Sequence, residues 1–391
     1  MKRIVSRRQR GFSIVELMIS VAIGLLALVF ALRTVGGVER TRSSALGGSD
    51  EMQTGMVALF SLSNDAEGAG FGLNDPLVAG CNTHFTDTGH YALAPAQRGS
   101  TDITPLAPVV IESHGADPDR ITFYAGTALG GTPTWRLLSP FASGGPSLGV
   151  DRSGLWIKRK DVLVVVPEQT GGDCLALQAA DAPGAATAIP VSSGSDLRLN
   201  GGGAGPTFNA YAARVFDLGP IDRLPFRTWS VGGGYLRLQA AADSTDGTAA
   251  IVAGNIVSIK AQYGFDERHA PAFQPEAGLQ VSRWSSTMID ADGSGITGDA
   301  GDWQHIAAVR LAVVARSKFV ETPGAGAACT TTTALPIVFA DAAPAGVAAV
   351  PVTVNVAVAV AGDPLDWKCY RYRVFETIVT LRNAGWRRAS S

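Results

Sequence analysis

An apolar run holding a single acid limits what the start of this chain can become. Residues 12–32, FSIVELMISVAIGLLALVFAL, carry Glu16 as their only charge. At 1.5 Å of rise per residue, about 21 helical residues cover a bilayer core of about 30 Å. One membrane helix is therefore expected here. The preceding MKRIVSRRQRG carries Lys2, Arg3, Arg7, Arg8, Arg10 and no acid, which holds that end on the cytoplasmic side. A secretory signal would place a small-residue cleavage site after its apolar part, and no convincing one follows Leu32.

Glu16 needs a partner, because an unpaired carboxylate deep in lipid costs about 2.5–3.5 kcal/mol. Cleavage between Gly11 and Phe12 would supply one. It creates an α-amine one helical turn before Glu16, which then becomes the fifth residue of the shortened chain. The carboxylate could neutralise its own amine or that of a neighbouring copy, and the second contact would fix register between packed helices.

At these residues the chain resembles the type IV prepilin family. That family's processing signal is Gly, then Phe, then an apolar run with Glu at the fifth mature position, and GFSIVELMIS follows it. The resemblance implies cleavage after Gly11 by the membrane-embedded prepilin peptidase, N-methylation of Phe12, and subunit packing in which Glu16 meets the Phe12 amine. It also implies residence in the inner membrane with the head in the periplasm, then transfer to a pilus at the cell surface. A signal anchor with a chance Glu, tethering a periplasmic domain, is the other reading.

The chain then divides into a leader (1–11), an N-terminal helix (12–67) and a head (68–391). In the distal helix, Met52, Met56, Leu59, Phe60 and Ser63 recur at three- and four-residue steps and are expected to dock the helix on the head. Gly36, Gly37, Gly47 and Gly48 should weaken it. The head has short apolar or alternating runs broken by Gly, Pro, Asn and Asp, which read as strands. The best are Arg120–Tyr124, Val162–Val166, Tyr211–Leu218, Tyr235–Gln239, Ile256–Phe265, Ile306–Arg316 and Arg373–Leu381. Segments 139–149, 181–206 and 322–350 read as loops or insertions. The expected fold class is α+β, with one long helix followed by a head built on antiparallel sheet.

Lys and Arg number 32 against 34 Asp and Glu, a net charge of −2, so there is no global basic field and no nucleic-acid partner is expected. Cys81, Cys174, Cys329 and Cys369 form no C-x-x-C pair. In an oxidising compartment they are disulfide candidates. Proximity along the chain favours Cys81 with Cys174 and Cys329 with Cys369, although three pairings and four buried free thiols stay open.

A second resemblance lies in the head. VSIKAQYGFD (257–266), HIAAVRLAVVARS (305–317) and YRVFETIVTLRNAGW (372–386) are similar to PilW-type minor pilins, which close on an arginine and asparagine as Arg382 and Asn383 do here. The chain departs in having Glu67 where the family often has a basic residue. The resemblance implies a low-copy subunit that primes assembly or caps the filament tip with other minor pilins, the major pilin and a large tip adhesin. A head of roughly 320 residues suits a low-copy role, being bulky to repeat throughout a thin filament. A minor pseudopilin of type II secretion and a membrane-tethered periplasmic hydrolase are the alternatives.

Catalytic motifs are weak. In DADGSGITGDAGDW, Asp290, Asp292, Ser294 and the Ile296 carbonyl fall at the spacing of a calcium loop. Position 12 is Gly301 rather than Glu, with Asp299 and Asp302 as approximate substitutes. Calcium is one reading, a solvated Asp-Gly turn the other. Gly293–Gly298 spells a dinucleotide fingerprint without a βαβ frame, and Gly145–Gly149 spells G-x-S-x-G within a Pro-containing loop. His84, His90, His114, His269 and His305 are scattered. Trp135, Trp156, Trp229, Trp284, Trp303, Trp367 and Trp386 read as core or edge aromatics, with a sugar-binding platform as the alternative. No catalytic residue is assigned, and the chain is not expected to be an enzyme.

Overall fold

A computed structural model describes residues 14–128, 134–201, 205–243, 247–320 and 328–384, with backbone alone for 32–50. Gly11 and Phe12 lie outside the described residues. Helix α1 runs from Ile14 to Gly68, and the chain divides into two compact units between Asp50 and Glu51.

In the first unit, Ile14–Ala31 has a mean hydropathy of 2.6 and is long and apolar enough to cross a membrane. Its large apolar side chains are exposed on every side, as suits a helix surrounded by lipid or by other helices. Ser20 spends its hydroxyl on the carbonyls of Glu16 and Leu17, at 2.8 and 3.0 Å, so it adds no unsatisfied donor to the apolar surface. Backbone helix continues through Gly36, Gly37, Gly47 and Gly48, where weakening is expected from propensity.

In the second unit, the end of α1 docks by a face only partly the expected one: Leu59 of the expected stripe packs against the main core and Ser63 is half-buried. Met52, Met56 and Phe60 are exposed, Phe60 by 72%. The buried positions are Glu51, Gly55, Ala58, Leu62, Asp65 and Ala66. Small residues win because the sheet comes close: a Cβ at Gly55 would overlap the ring of Phe375. The bulkier stripe is left facing outward.

The head is α+β and mainly antiparallel, with three principal sheets. One has four strands in the order Arg283–Ser285, Ile256–Phe265, Ile306–Arg316 and Tyr372–Thr380. A five-stranded sheet includes Arg120–Phe123, Arg227–Gly232 and Tyr235–Ala240. A six-stranded sheet is centred on Asp161–Pro167 and Ala213–Pro220. Its Cys81–His84 and Asp173–Gln178 strands run parallel, and a disulfide joins Cys81 to Cys174 across them. A second disulfide joins Cys329 to Cys369.

The central strands are buried on both faces, which their continuous apolar runs require. In Ile306–Arg316, Val309, Leu311, Val313 and Ala315 point into the main core, while Ala312 and Val314 enter a second cluster with Phe339 and Val354. In Asp161–Pro167, Val162, Val164 and Val166 join the main core, and Leu163 and Val165 face a third cluster. Four of the sixteen buried residues of that third cluster come from segments expected to be loops. Phe141, Leu148, Ile189 and Val191 are buried in it, and short strands occur at Phe141–Ala142, Ser147–Gly149 and Ala188–Pro190. Single apolar residues among Gly, Ser and Pro suffice to cover a sheet face.

Lys260, on the strand Ile256–Phe265, is fully buried and paired with buried Asp119. Its ammonium also donates to the carbonyls of Gly115 and Asp117 at 2.8 and 3.0 Å, and Asp119 Oδ2 accepts from Ala261 N–H at 3.0 Å. Removing one partner strands a charge in the interior. Asp119→Ala is expected to cost about 3–5 kcal/mol in urea unfolding, whereas the double variant Asp119→Leu/Lys260→Met should recover much of that loss.

Candidate functional site

The seat of α1 is assembled from residues far apart in the chain. Asp65, on the docked face, accepts from the Trp229 indole N–H at 2.8 Å and is ion-paired with Arg227. Burial raises its pKa above the usual carboxylate value, opposed by the Arg227 charge and the Trp229 hydrogen bond. The helix end, whose last carbonyls lack intrahelical donors, is met by Asn383. Its side-chain amide donates to the carbonyls of Gly68 and Ala69 at 3.3 and 3.2 Å. The chain then turns at Gly70, with φ +81°, a conformation glycine adopts at little cost, and Gly70 N–H donates to the Tyr124 carbonyl at 2.8 Å. Glu67 is exposed beside this turn.

The three head segments singled out from the sequence form neighbouring strands of the four-stranded sheet. Tyr263 stands opposite Val309, Val309 opposite Val379, and Val313 opposite Phe375. Phe375 meets Gly55, and Val379, Leu381 and Ala384 enter the main core with Ala58, Leu62 and Ala66 of α1. The same stretch therefore supplies the sheet edge, the helix contact and, through Asn383, the helix cap. Glu16 lies in the first turn of α1.

The acidic loop assembles a different set from the one its spacing suggests. Ligand atoms of Asp290, Asp292 and Asp302 lie within 4.8 Å of one another. Ser294 instead donates its hydroxyl to Asp299 at 2.8 Å, and the Ile296 carbonyl accepts from Asp299 N–H at 3.4 Å. Asp299 caps the short helix α2, Ala300–Gln304, and this helix folds Asp302 back under the loop. Asp302 Oδ1 accepts from Ala291 and Asp292 N–H at 2.5 and 3.2 Å, and Oδ2 from Gly298 N–H at 2.6 Å. Burial is the largest influence and pushes its pKa up to about 6.

His305 and Ser147 serve packing and strand pairing. His305 is buried, bonds the Asp266 carbonyl through Nδ1 and stacks on Phe273 at 3.6 Å. Burial lowers its pKa. Ser147, the serine of G-x-S-x-G, begins a strand paired with Ala188–Pro190, not a strand-to-helix elbow.

Two comparisons with known families match. Residues 6–32 match the prokaryotic N-terminal methylation motif, and residues 232–383 match PilW, the type IV pilus-assembly protein W. The second match begins before the strand Tyr235–Ala240 and ends on Asn383. No curated protein and no solved structure matches the chain. An N-terminal methylation motif leading into an apolar helix, ahead of a β-rich head, defines a type IV prepilin-like protein. Within that class the similarity is to the PilW type, over residues 232–383.

Two outcomes follow. Asn383→Ala should cost about 1 kcal/mol and speed hydrogen exchange of the last turn of α1, while leaving exchange in Ile306–Arg316 unchanged. For Asp302, the folded pKa exceeds the ordinary value, so the native state retains a proton that the unfolded chain releases. Its contribution to stability is complete below about pH 4 and is lost as pH rises through about 6. Carboxyl NMR of Asp302 should show a titration midpoint near pH 6, and a midpoint near 4 would remove this pH dependence.

Proposed function

We propose that this protein is a minor pilin that helps prime or cap a type IV pilus, inserting into it through α1. Its prepilin signal couples it to prepilin peptidase and to other pilus components in general; the minor role and particular neighbours are the further step. The observation that carries the reading is the pairing of a methylation motif at 6–32 with a PilW match that includes Phe375 and Asn383, which meet the distal end of the same helix. In this reading Phe12 becomes the methylated N-terminus after cleavage following Gly11. Glu16 meets the Phe12 amine of its own or a neighbouring subunit, and van der Waals packing between apolar helices does the rest.

The outward stripe of Met52, Met56 and Phe60 supports the proposal by leaving an apolar face uncovered on the docked end of α1. A neighbouring helix would bury it. The large head favours a low copy number and faces the periplasm before assembly. The PilW match favours a pilus over a secretion pseudopilus.

Sheared filaments provide the test. Mass spectrometry should find this chain among their components, beginning at N-methylated Phe12. Glu16→Ala is expected to leave cleavage after Gly11 largely intact while lowering incorporation several-fold. A chain absent from filaments and still beginning at Met1 would overturn the proposal; normal incorporation of Glu16→Ala would remove the charge-register role alone.

A further inference from the structure

At one end of the six-stranded sheet, lined by none of the residues that seat α1, lies a pocket of about 790 Å³. That volume falls within the range of small-molecule sites, roughly 300–1,000 Å³. Its lining includes Trp156, Lys158, Asp161, Asp217 and Arg223. Trp156 is 74% exposed. Such a side chain carries a large apolar face and one N–H donor, a combination suited to ligands that are apolar on one side and polar at the edge.

The floor of the pocket is polar and constrained. Asp161 and Asp217 are both buried. Asp217 Oδ1 accepts from Gly219 N–H at 2.8 Å. Asp161 Oδ2 accepts from Lys158 N–H at 2.7 Å, and its Oδ1 is buried without a hydrogen-bond partner. An orphaned buried acceptor costs about 1–3 kcal/mol, a cost that a donor reaching the floor would remove. The turn carrying these residues holds Lys160 at φ +71°, a sparsely occupied conformation for a non-glycine residue that often accompanies functional sites. Lys160 is held there by its N–H to the Ala179 carbonyl at 2.8 Å.

The rim decides the kind of ligand. Arg159 and Lys160 both turn to Asp196, at 2.5 and 3.6 Å, while Lys158 and Arg223 are exposed at the pocket. Asp222 is exposed beside Arg223 in the same lining, and acids and cations set side by side disfavour a simple ion of either sign. They fit a neutral group that both donates and accepts hydrogen bonds and has an apolar face for the indole. We propose that this pocket binds a neutral saccharide. Trp156 stacks on the C–H face of a pyranose ring, Asp161 and Asp217 accept from its hydroxyls, and Lys158 and Arg223 donate to its oxygens. This is a binding role beyond filament assembly.

The test uses the full chain, purified in a detergent without a sugar headgroup. The probes are maltotetraose, cellotetraose, chitotetraose and mannotetraose, with an Arg/Lys-rich peptide as the competing class. Saturation-transfer NMR should show ring protons of at least one saccharide contacting the protein. Trp156→Ala, at an exposed position, should weaken that saccharide about tenfold or more, equivalent to about 1.4 kcal/mol, with unchanged circular dichroism. Asp161→Asn should weaken it as well; if that variant does not fold, Trp156→Ala decides alone. No saccharide binding, binding indifferent to Trp156→Ala, or binding of the basic peptide alone would overturn the proposal. Because the isolated chain is measured, the result stands apart from whether it enters a pilus.

Discussion

The close approach of Gly55 to the Phe375 ring is the contact on which the head's relation to its own helix segment depends. A side chain larger than hydrogen at residue 55 would overlap the Phe375 ring of the edge strand Tyr372–Thr380 and force that ring to shift. With that contact made, Ala58, Leu62 and Ala66 reach the main core beside Val379 and Leu381. Asp65 then reaches Trp229 and Arg227 on the neighbouring sheet. Close packing of small residues and a few directed polar bonds therefore achieve what the larger side chains of this segment do not attempt.

That division gives the end of α1 two surfaces with different tasks. The Gly55–Ala58–Leu62–Ala66 face is committed to the protein's own core, whereas Met52, Met56 and Phe60 project away from it. Large, flexible methionines adapt to varied surroundings. Tight residues inside and adaptable ones outside are consistent with a helix that has one fixed partner and one that is found later.

How much of this is legible in the sequence depends on whether the signal is local. Ile256–Phe265 and Ile306–Arg316 are readable residue for residue because the first alternates Val257, Ile259, Ala261, Tyr263 and Phe265 with mostly polar residues and the second is an apolar run broken only by Arg310 before its closing Arg316. The docked face of α1 is not, because glycine and alanine carry little hydrophobic signal, and their value appears only when a sheet comes near. The buried residues of 139–149 and 181–206 are hidden for a related reason: Leu148 and Ile189 stand almost alone among turn formers. In the acidic loop, linear spacing points to Ser294 and Ile296, but α2 brings in Asp302 by folding back. Asn383 had a signal only through family resemblance; its place at the helix end depends on contacts more than 300 residues apart along the chain.

The sequence separation of that cap has a consequence for the order of synthesis. The distal end of α1 is made more than 300 residues before Phe375 and Asn383. Until they arrive, the small-residue face of α1 lacks its closing strand and the carbonyls of Gly68 and Ala69 lack this donor. Completion of the helix seat thus reports that translation has passed Asn383. A chain broken off earlier would carry the apolar helix without these contacts.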